Sequence, residues 1–244
     1  MLLGVDIGNT RISFALIRDK EVACVKSCQT ADIKAAASII VSFSVRGVKE
    51  CVVCSVVPSA NKRIMGLIRK NLGVKAKIVG RDIKVLIKNN YRNPHQVGQD
   101  RLLCSFAAKE IYGYPAIVID FGTAITFDIV SKEGSYEGGM IIPGIRLSLE
   151  SLHNKTALLP KIEYIKVPKK LIGKETKESI LSGIFNGYGK MSEGLVELLS
   201  KELGGKAKVI LTGGYSDLMA RYIKGRCIVD KDLIFKGMGL LFNK

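Results

Sequence analysis

The sequence has little histidine, no long apolar run and no basic region ahead of its first apolar residues. Its two histidines, His95 and His153, belong to no pattern of nucleophile or metal ligand, and they do not support a catalytic triad or a metal site. The richest apolar stretch, AAASIIVSFSV, is shorter than the roughly 18 residues that a membrane span needs. The N-terminus does not resemble a signal peptide. We therefore expect a cytoplasmic protein with no membrane partner.

Acidic residues are also in the minority. The chain has 38 Lys and Arg against 22 Asp and Glu, a formal net charge of +16, with a local concentration of lysine in KVPKKLIGKETK. Such a charge can bind nucleic-acid phosphates, steer a small polyanionic substrate, or form a solvated surface. No known nucleic-acid module and no basic stretch interleaved with aromatic residues is present, which makes nucleic acid an unlikely partner.

The six cysteines are predicted to be free thiols rather than a disulfide framework. Cys51 and Cys54 lie three residues apart in the β-branched segment ECVVCSVVP, and on a strand they face opposite sides. The segment also lacks the glycine turn of a zinc knuckle. We therefore predict buried strand cysteines here, and no metal site with Cys24 and Cys28.

The length favours two related halves, which we place at residues 1–114 and 115–244, because a motif near the start recurs near the middle. The patterns predict strands over 2–7, 11–17, 51–57, 116–119, 125–130 and 209–211, and helices over 33–44, 61–72, 100–111 and 178–203. We expect Ser59 to cap the second of these helices.

The recurring motif is a strand, a glycine turn and a second strand. LLGVDIGNTRISFALI, at residues 2–17, aligns with AIVIDFGTAITFDIV, at residues 116–130, when a one-residue gap is allowed. Each copy places an aspartate, Asp6 or Asp120, at the end of its first strand and a hydroxyl residue in its turn. A glycine turn lets the backbone approach a phosphate, a threonine adds a donor, and the aspartate can hold a cation. Two such turns, with Thr212-Gly213-Gly214 after a late strand, predict nucleotide binding.

These motifs resemble the two phosphate motifs and the adenosine motif of the actin, Hsp70 and sugar-kinase superfamily. The resemblance implies an α/β fold of two ribonuclease H-like, actin-like ATPase domains with a central nucleotide cleft. The superfamily contains kinases, chaperones and filament proteins, so the fold alone does not choose among them.

Three further stretches resemble type III pantothenate kinases. They are YRNPHQVGQDR at residues 91–101, YEGGMIIPGIRLSLESLHNKTALLP at residues 136–160 and GKETKESILSGIFNGYG at residues 173–189. With DLIFKGMGLLFN near the end, the resemblance covers almost the whole chain in the family's order. It implies phosphorylation of pantothenate by ATP, the first step towards coenzyme A.

The resemblance also implies roles for individual residues. Asp100 is expected to be the proton acceptor, although an aspartate that opens a helix is by itself more typical of capping. ATP contacts are expected from Asp6, Ile7, Gly8, Asn9, Thr10, Arg11, Ile12, Ser13 and Thr123. Substrate contacts are expected from Tyr91, Gly98, Gln99, Asp100, Arg101 and Thr176. The planar fork of Arg101 suits a carboxylate or a hydroxyl-rich ligand.

Cofactors and partners follow from the same resemblance. Asp6 is expected on the side of the Mg²⁺ that accompanies ATP, and Asp120 is expected to bind a monovalent cation, K⁺ or NH₄⁺. Symmetry with Asp6 would instead make Asp120 a second magnesium ligand. The family implies a homodimer in which Thr176 contributes to the neighbour's pantothenate pocket. Two alternatives stay open: a regulatory or polyanion-binding protein on a kinase scaffold, and another small-molecule kinase of the superfamily.

Overall fold

A computed structural model of the protein describes residues 1–242, which form two compact units. The first unit comprises Met1–Ile111 together with the C-terminal helix Leu233–Phe242, and the second comprises Tyr112–Lys231. The halves expected from the sequence, residues 1–114 and 115–244, stay a prediction of how the duplicated chain is organised.

Strands and helices alternate along most of the chain. In order they are β1 (Leu2–Ile7), β2 (Arg11–Arg18), β3 (Glu21–Gln29), α1 (Ile33–Val41), β4 (Glu50–Ser55), α2 (Pro58–Leu72), β5 (Ala76–Ile78), α3 (Gln99–Tyr112), β6 (Ala116–Phe121), β7 (Ala124–Val130), β8 (Tyr136–Pro143), α4 (Ile145–Asn154), α5 (Thr176–Glu202), β9 (Lys208–Thr212), α6 (Ser216–Met219), β10 (Ile228–Val229) and α7 (Leu233–Phe242). The predicted α/β class is confirmed, and the predicted strands and helices all form, with ends shifted by a few residues.

Each unit contains one five-stranded mixed sheet, and both sheets have the same strand order. The first sheet runs β3-β2-β1-β4-β5 and the second runs β8-β7-β6-β9-β10. In each sheet the first three strands pair antiparallel as a meander, and the last two join in parallel beside the first strand. The sequence repeat therefore covers the first two strands of a sheet that occurs once in each unit.

Alternation along the strands determines which face of the first sheet is covered by which helix. Leu3, Val5 and Ile7 of β1 are fully buried in a core that also contains residues of α1 and α2. Gly4 points to the other face, where a Cβ would meet Met238 of α7 at 2.9 Å. The first strand is therefore packed on both faces.

The helix boundaries follow from their end residues. α1 begins after Asp32, whose carboxylate accepts the Ala35 amide at 2.9 Å. α2 begins at Pro58, so the expected cap Ser59 was wrong. Proline is favoured at the first helical position because its fixed φ suits the helix and its missing N–H is not needed there.

The second unit buries the equivalent faces. Ile117, Ile119 and Phe121 of β6 lie in a core with residues of α4, α5 and α6.

The predicted burial of Cys51 and Cys54 on β4 of the first unit is confirmed, since both are fully buried. Among the residues that the structure describes, no helix is both long enough and apolar enough to cross a membrane.

One buried carboxylate joins strands β7 and β8 of the second sheet. Asp128 on β7 is 1% exposed, and it accepts hydrogen bonds from the Tyr136 hydroxyl at 2.9 Å and the Thr126 hydroxyl at 2.8 Å. When a buried carboxylate loses a hydrogen-bond donor, its desolvation is no longer fully compensated, and the free energy of unfolding falls. This cluster should therefore contribute measurably to stability.

We expect Tyr136→Phe, which keeps the ring and removes the hydroxyl, to lower the free energy of unfolding by about 1–3 kcal/mol. Urea denaturation of the variant and the unchanged protein measures the difference. Tyr164→Phe is the matched control, because Tyr164 is 81% exposed and should change stability by less than about 0.5 kcal/mol. Equal stability of Tyr136→Phe and the unchanged protein would contradict the assigned role.

Candidate active site

The first glycine turn joins β1 to β2. The Gly8 amide donates to the Arg11 carbonyl at 3.0 Å, so the glycine's own N–H closes the turn rather than facing outward. The Ile7 and Ile12 side chains are fully buried, whereas Asn9, Thr10 and Arg11 are exposed. Of the residues expected to contact ATP, the two isoleucines could do so through their backbone only.

A residue distant in sequence holds this turn from the third strand. The Thr30 amide donates to the Thr10 carbonyl at 3.1 Å, and its hydroxyl donates to the Gly8 carbonyl at 2.7 Å. On the neighbouring strands, Arg11 donates to the Ser27 hydroxyl at 3.1 Å. The carbonyls of Gly8 and Thr10 therefore both accept hydrogen bonds from Thr30, the residue that follows β3.

The structure brings Asp6 and Asp100 to the same region of the first unit, around Cys54. Register pairs Asp6 with Ser13 of β2 on one side and with Cys54 of β4 on the other. Burial raises the pKa of the Cys54 thiol well above its ordinary value, and the nearby Asp6 and Asp100 carboxylates raise it further. A neutral buried thiol therefore lies beside both predicted site carboxylates.

Asp100 is the second residue of α3. Burial raises its pKa above the ordinary value, while the backbone amide and charge of Arg101 act in the opposite direction. Its Oδ1 atom is buried and has no hydrogen-bond partner among the described residues. A Cβ on Gly98 would lie 2.3 Å from the same Oδ1, so the carboxylate keeps this position only beside a residue without a side chain. These features are those of a carboxylate suited to accept a proton.

The other residues expected to bind the substrate are divided between the units. Tyr91 and Arg101 are half-buried in the first unit, where the Tyr91 amide donates to the Asn89 side chain at 3.0 Å. Gln99 lies directly against Gly80, where a Cβ would meet its side chain at 2.5 Å. Thr176 is exposed at the first position of α5, in the second unit. The first unit therefore collects all of these positions except Thr176.

The second glycine turn joins β6 to β7 and is one residue shorter. The Gly122 amide donates to the Ala124 carbonyl at 3.1 Å, and Thr123 is exposed at the tip. Asp120 pairs with Thr126 of β7 on one side and Thr212 of β9 on the other. A carboxylate between two hydroxyl residues offers only oxygen donors, which are the ligands that hard cations prefer.

Two glycines leave space around this second turn. The Gly144 amide donates to the Thr123 carbonyl at 3.1 Å, and a Cβ on Gly144 would lie 2.2 Å from that same oxygen. Gly213 has a φ of +86°, which favours glycine, and a Cβ there would lie 2.1 Å from Oδ1 of Asp120. The expected Thr212-Gly213-Gly214 motif therefore lies against the Asp120 carboxylate.

Sequence reasoning missed several residues of this arrangement, namely Thr30, Cys54, Thr126 and Gly144. Thr126 could have been found, because the repeat aligns it with Ser13, opposite Asp6. The parallel pairing that places Cys54 beside Asp6 joins segments almost fifty residues apart, and no local pattern in the sequence indicates it.

Comparison with known proteins gives a consistent result along the whole chain. The family model of type III pantothenate kinase matches residues 2–198. A type III pantothenate kinase of Persephonella marina is 42% identical and covers 98% of this chain and 96% of its own length. That of Sulfurihydrogenibium sp. (strain YO3AOP1) is 37% identical over 99% of both chains.

Solved structures show the fold. A Baf family protein from Campylobacter jejuni is 23% identical with a TM-score of 0.60, covering 99% of this chain and 97% of its own. An activator of 2-hydroxyisocaproyl-CoA dehydratase from Clostridium difficile, solved with bound ADPNP, is 14% identical with a TM-score of 0.54, covering 99% and 93%. The predicted actin-like ATPase fold is confirmed by this similarity and by the two matching sheets.

The raised pKa of Asp100 has a consequence for stability. Because the folded state holds the Asp100 proton more tightly than the unfolded chain, the contribution of Asp100 to the free energy of unfolding falls as pH rises from about 4 through the raised pKa. Asp100→Asn has no charge to bury. We expect this variant to gain stability relative to the unchanged protein as pH rises.

Urea unfolding at about pH 4, close to the pKa of an aspartate in the unfolded chain, and at about pH 8 measures this difference. Asp19→Asn, in an exposed turn where asparagine is tolerated, is the control and should track the unchanged protein at both values. A stability difference between Asp100→Asn and the unchanged protein that was the same at both pH values would contradict the burial argument.

Proposed function

The chain belongs to the type III pantothenate kinase family, and from this premise we propose that it transfers the γ-phosphoryl group of ATP to the 4′-hydroxyl of pantothenate. The products are ADP and 4′-phosphopantothenate, and the reaction begins coenzyme A biosynthesis. The match at 42% identity over 98% of the chain carries the proposal. We also propose that the protein is cytoplasmic.

In this reaction the pantothenate hydroxyl oxygen attacks the γ-phosphorus of ATP. A new O–P bond forms while the bond to the β,γ-bridging oxygen breaks, and the hydroxyl proton must leave. We assign Asp100 as its acceptor, because this half-buried residue has one buried carboxylate oxygen and a raised pKa and lies in the first turn of α3, near Asp6. In a loose transition state the proton leaves late, so the carboxylate acts mainly by orienting the hydroxyl.

Substrate binding would use residues around the start of α3. Arg101 would hold the pantothenate carboxylate with its planar fork, and Gly98 lets the ligand approach the backbone. Tyr91 would supply an amphipathic wall, and Gln99 would support the backbone from its position against Gly80. We propose a homodimer in which Thr176, exposed at the start of α5, completes the neighbour's pocket.

ATP would be bound through the two glycine turns. In the first, Asn9, Thr10 and Arg11 are exposed and Ser13 is half-buried, so they would be available to the nucleotide, and Asp6 would lie on the side of the divalent cation. Thr123 would contact the phosphates from the second. Mg²⁺ would come with the nucleotide and neutralise the charge that develops on its phosphates.

Asp120 would hold a monovalent cation, K⁺ or NH₄⁺. The residues present fit this group, since Asp120 is paired with Thr126 and Thr212 and the side-chain ligand atoms of all three are oxygens. The Thr126 hydroxyl donates its proton to Asp128, and its oxygen lone pairs stay available to a cation. The cation would balance phosphate charge near the second turn.

The kinase activity is tested by ADP formation from ATP and magnesium, with and without pantothenate. We expect turnover that depends on pantothenate and falls about 10²–10⁴-fold in Asp100→Asn, because one positioned acid–base group contributes that much. Asp19→Asn should match the unchanged protein. ATP binding without pantothenate-dependent turnover would refute the proposal and favour the regulatory or polyanion-binding alternative.

The role of Asp120 is tested by comparing potassium and sodium buffers. We expect potassium to stimulate pantothenate-dependent ADP formation in the unchanged protein, and Asp120→Asn to lose this stimulation because it removes the charged ligand. Nucleotide binding, measured by calorimetry in both buffers, gives a second readout. A variant that still responded to potassium would place the cation elsewhere.

A further inference from the structure

The two glycine turns are held from behind by residues at equivalent places in the duplicated sheet. In each unit the holding residue directly follows the third strand: Thr30 after β3 and Gly144 after β8. In each, its backbone N–H donates to the carbonyl of the turn threonine, Thr10 or Thr123, at 3.1 Å in both cases. The repetition of one hydrogen bond in two units argues against coincidence.

The second contact of each holding residue differs between the units. Thr30 donates its hydroxyl to the Gly8 carbonyl at 2.7 Å. Gly144 instead packs so closely that a Cβ would lie 2.6 Å from the Gly122 carbonyl and 2.2 Å from the Thr123 carbonyl. One turn is therefore held through a hydroxyl, and the other through backbone contact that leaves no space for a side chain.

A peptide unit carries its carbonyl and the next amide on opposite sides. Fixing the carbonyls of Gly8 and Thr10 towards β3 therefore turns the amides that follow them away from β3. The Gly8 amide itself is used inside the turn. The orientation of the remaining amides thus depends on a residue twenty positions beyond the turn.

We propose that Thr30 and Gly144 are positioning residues for ATP, which hold the two turns so that their amides and hydroxyls face the phosphates. This inference rests on the proposed function only in taking ATP as the ligand of the turns. Neither residue needs to touch the nucleotide. Their effect should therefore appear in ATP binding and leave the pantothenate contacts unchanged.

The first turn is tested with Thr30→Val, which keeps the shape and the backbone N–H but removes the hydroxyl. We expect the Kd for a non-hydrolysable ATP analogue and the KM for ATP to rise about five- to tenfold, as the loss of one hydrogen bond predicts. The KM for pantothenate should stay unchanged, and Thr30→Ser should restore ATP binding. Thr156→Val is the matched control, because Thr156 also donates to a carbonyl, that of Leu152, on an exposed surface.

The second turn is tested with Gly144→Ala. The added methyl group must displace the Thr123 carbonyl, and we expect kcat/KM for ATP to fall by up to about a hundredfold, as for displaced reacting groups. Gly66→Ala, at an exposed helical position with open space around its Cβ, is the control and should behave as the unchanged protein. Thermal melts establish that each variant is folded.

The outcomes separate this inference from the proposed function. If the unchanged protein does not bind the ATP analogue, the proposed function fails. If it binds, and Thr30→Val binds equally well or raises the KM for pantothenate as much as that for ATP, the positioning role of Thr30 is overturned while the kinase assignment stands. Unaltered ATP kinetics of a folded Gly144→Ala would overturn the role of Gly144 in the same way.

Discussion

The geometry of both candidate sites depends on how the first strand of each sheet is paired. β1 has an antiparallel neighbour on one side and a parallel neighbour on the other, so Asp6 lies between Ser13 and Cys54. β6 is paired in the same way, and Asp120 lies between Thr126 and Thr212. Ligands of open α/β sheets bind outside the carboxyl ends of the parallel strands, and this pairing brings each aspartate to that edge.

The same pairing has an electrostatic cost in the first unit. A buried thiol and two carboxylates meet at one end of the sheet, and burial raises the pKa of both Cys54 and Asp100. Burying a carboxylate disfavours its charged form. A neutral residue at position 100 would avoid this cost to the stability of the fold. The proposed role of proton acceptor would account for the presence of Asp100, because such acceptors have a pKa that has been moved towards the working pH.

The sequence predicted what is local and repeated. The two hairpins, with Asp6 and Asp120 at their strand ends, follow from alternating apolar residues around a glycine turn, and both form. The cap of α2 was wrong at Ser59 because the adjacent Pro58 fits the first helical position better. Thr30 was out of reach, since only the pairing of β2 with β3 brings it to a turn twenty residues earlier in the chain.

The difference between the two turns explains why the duplicated positions diverged in residue type. The first turn has one residue more, and the threonine at position 30 reaches it with a hydroxyl. The second turn is shorter, and its carbonyls lie where the Cβ of any side chain at position 144 would be. A threonine in the second unit would collide, and a glycine in the first would leave the Gly8 carbonyl without its 2.7 Å hydrogen bond. The two units therefore preserve a function of the backbone, the fixed direction of the turn amides, while the side chains that achieve it follow the length of each turn.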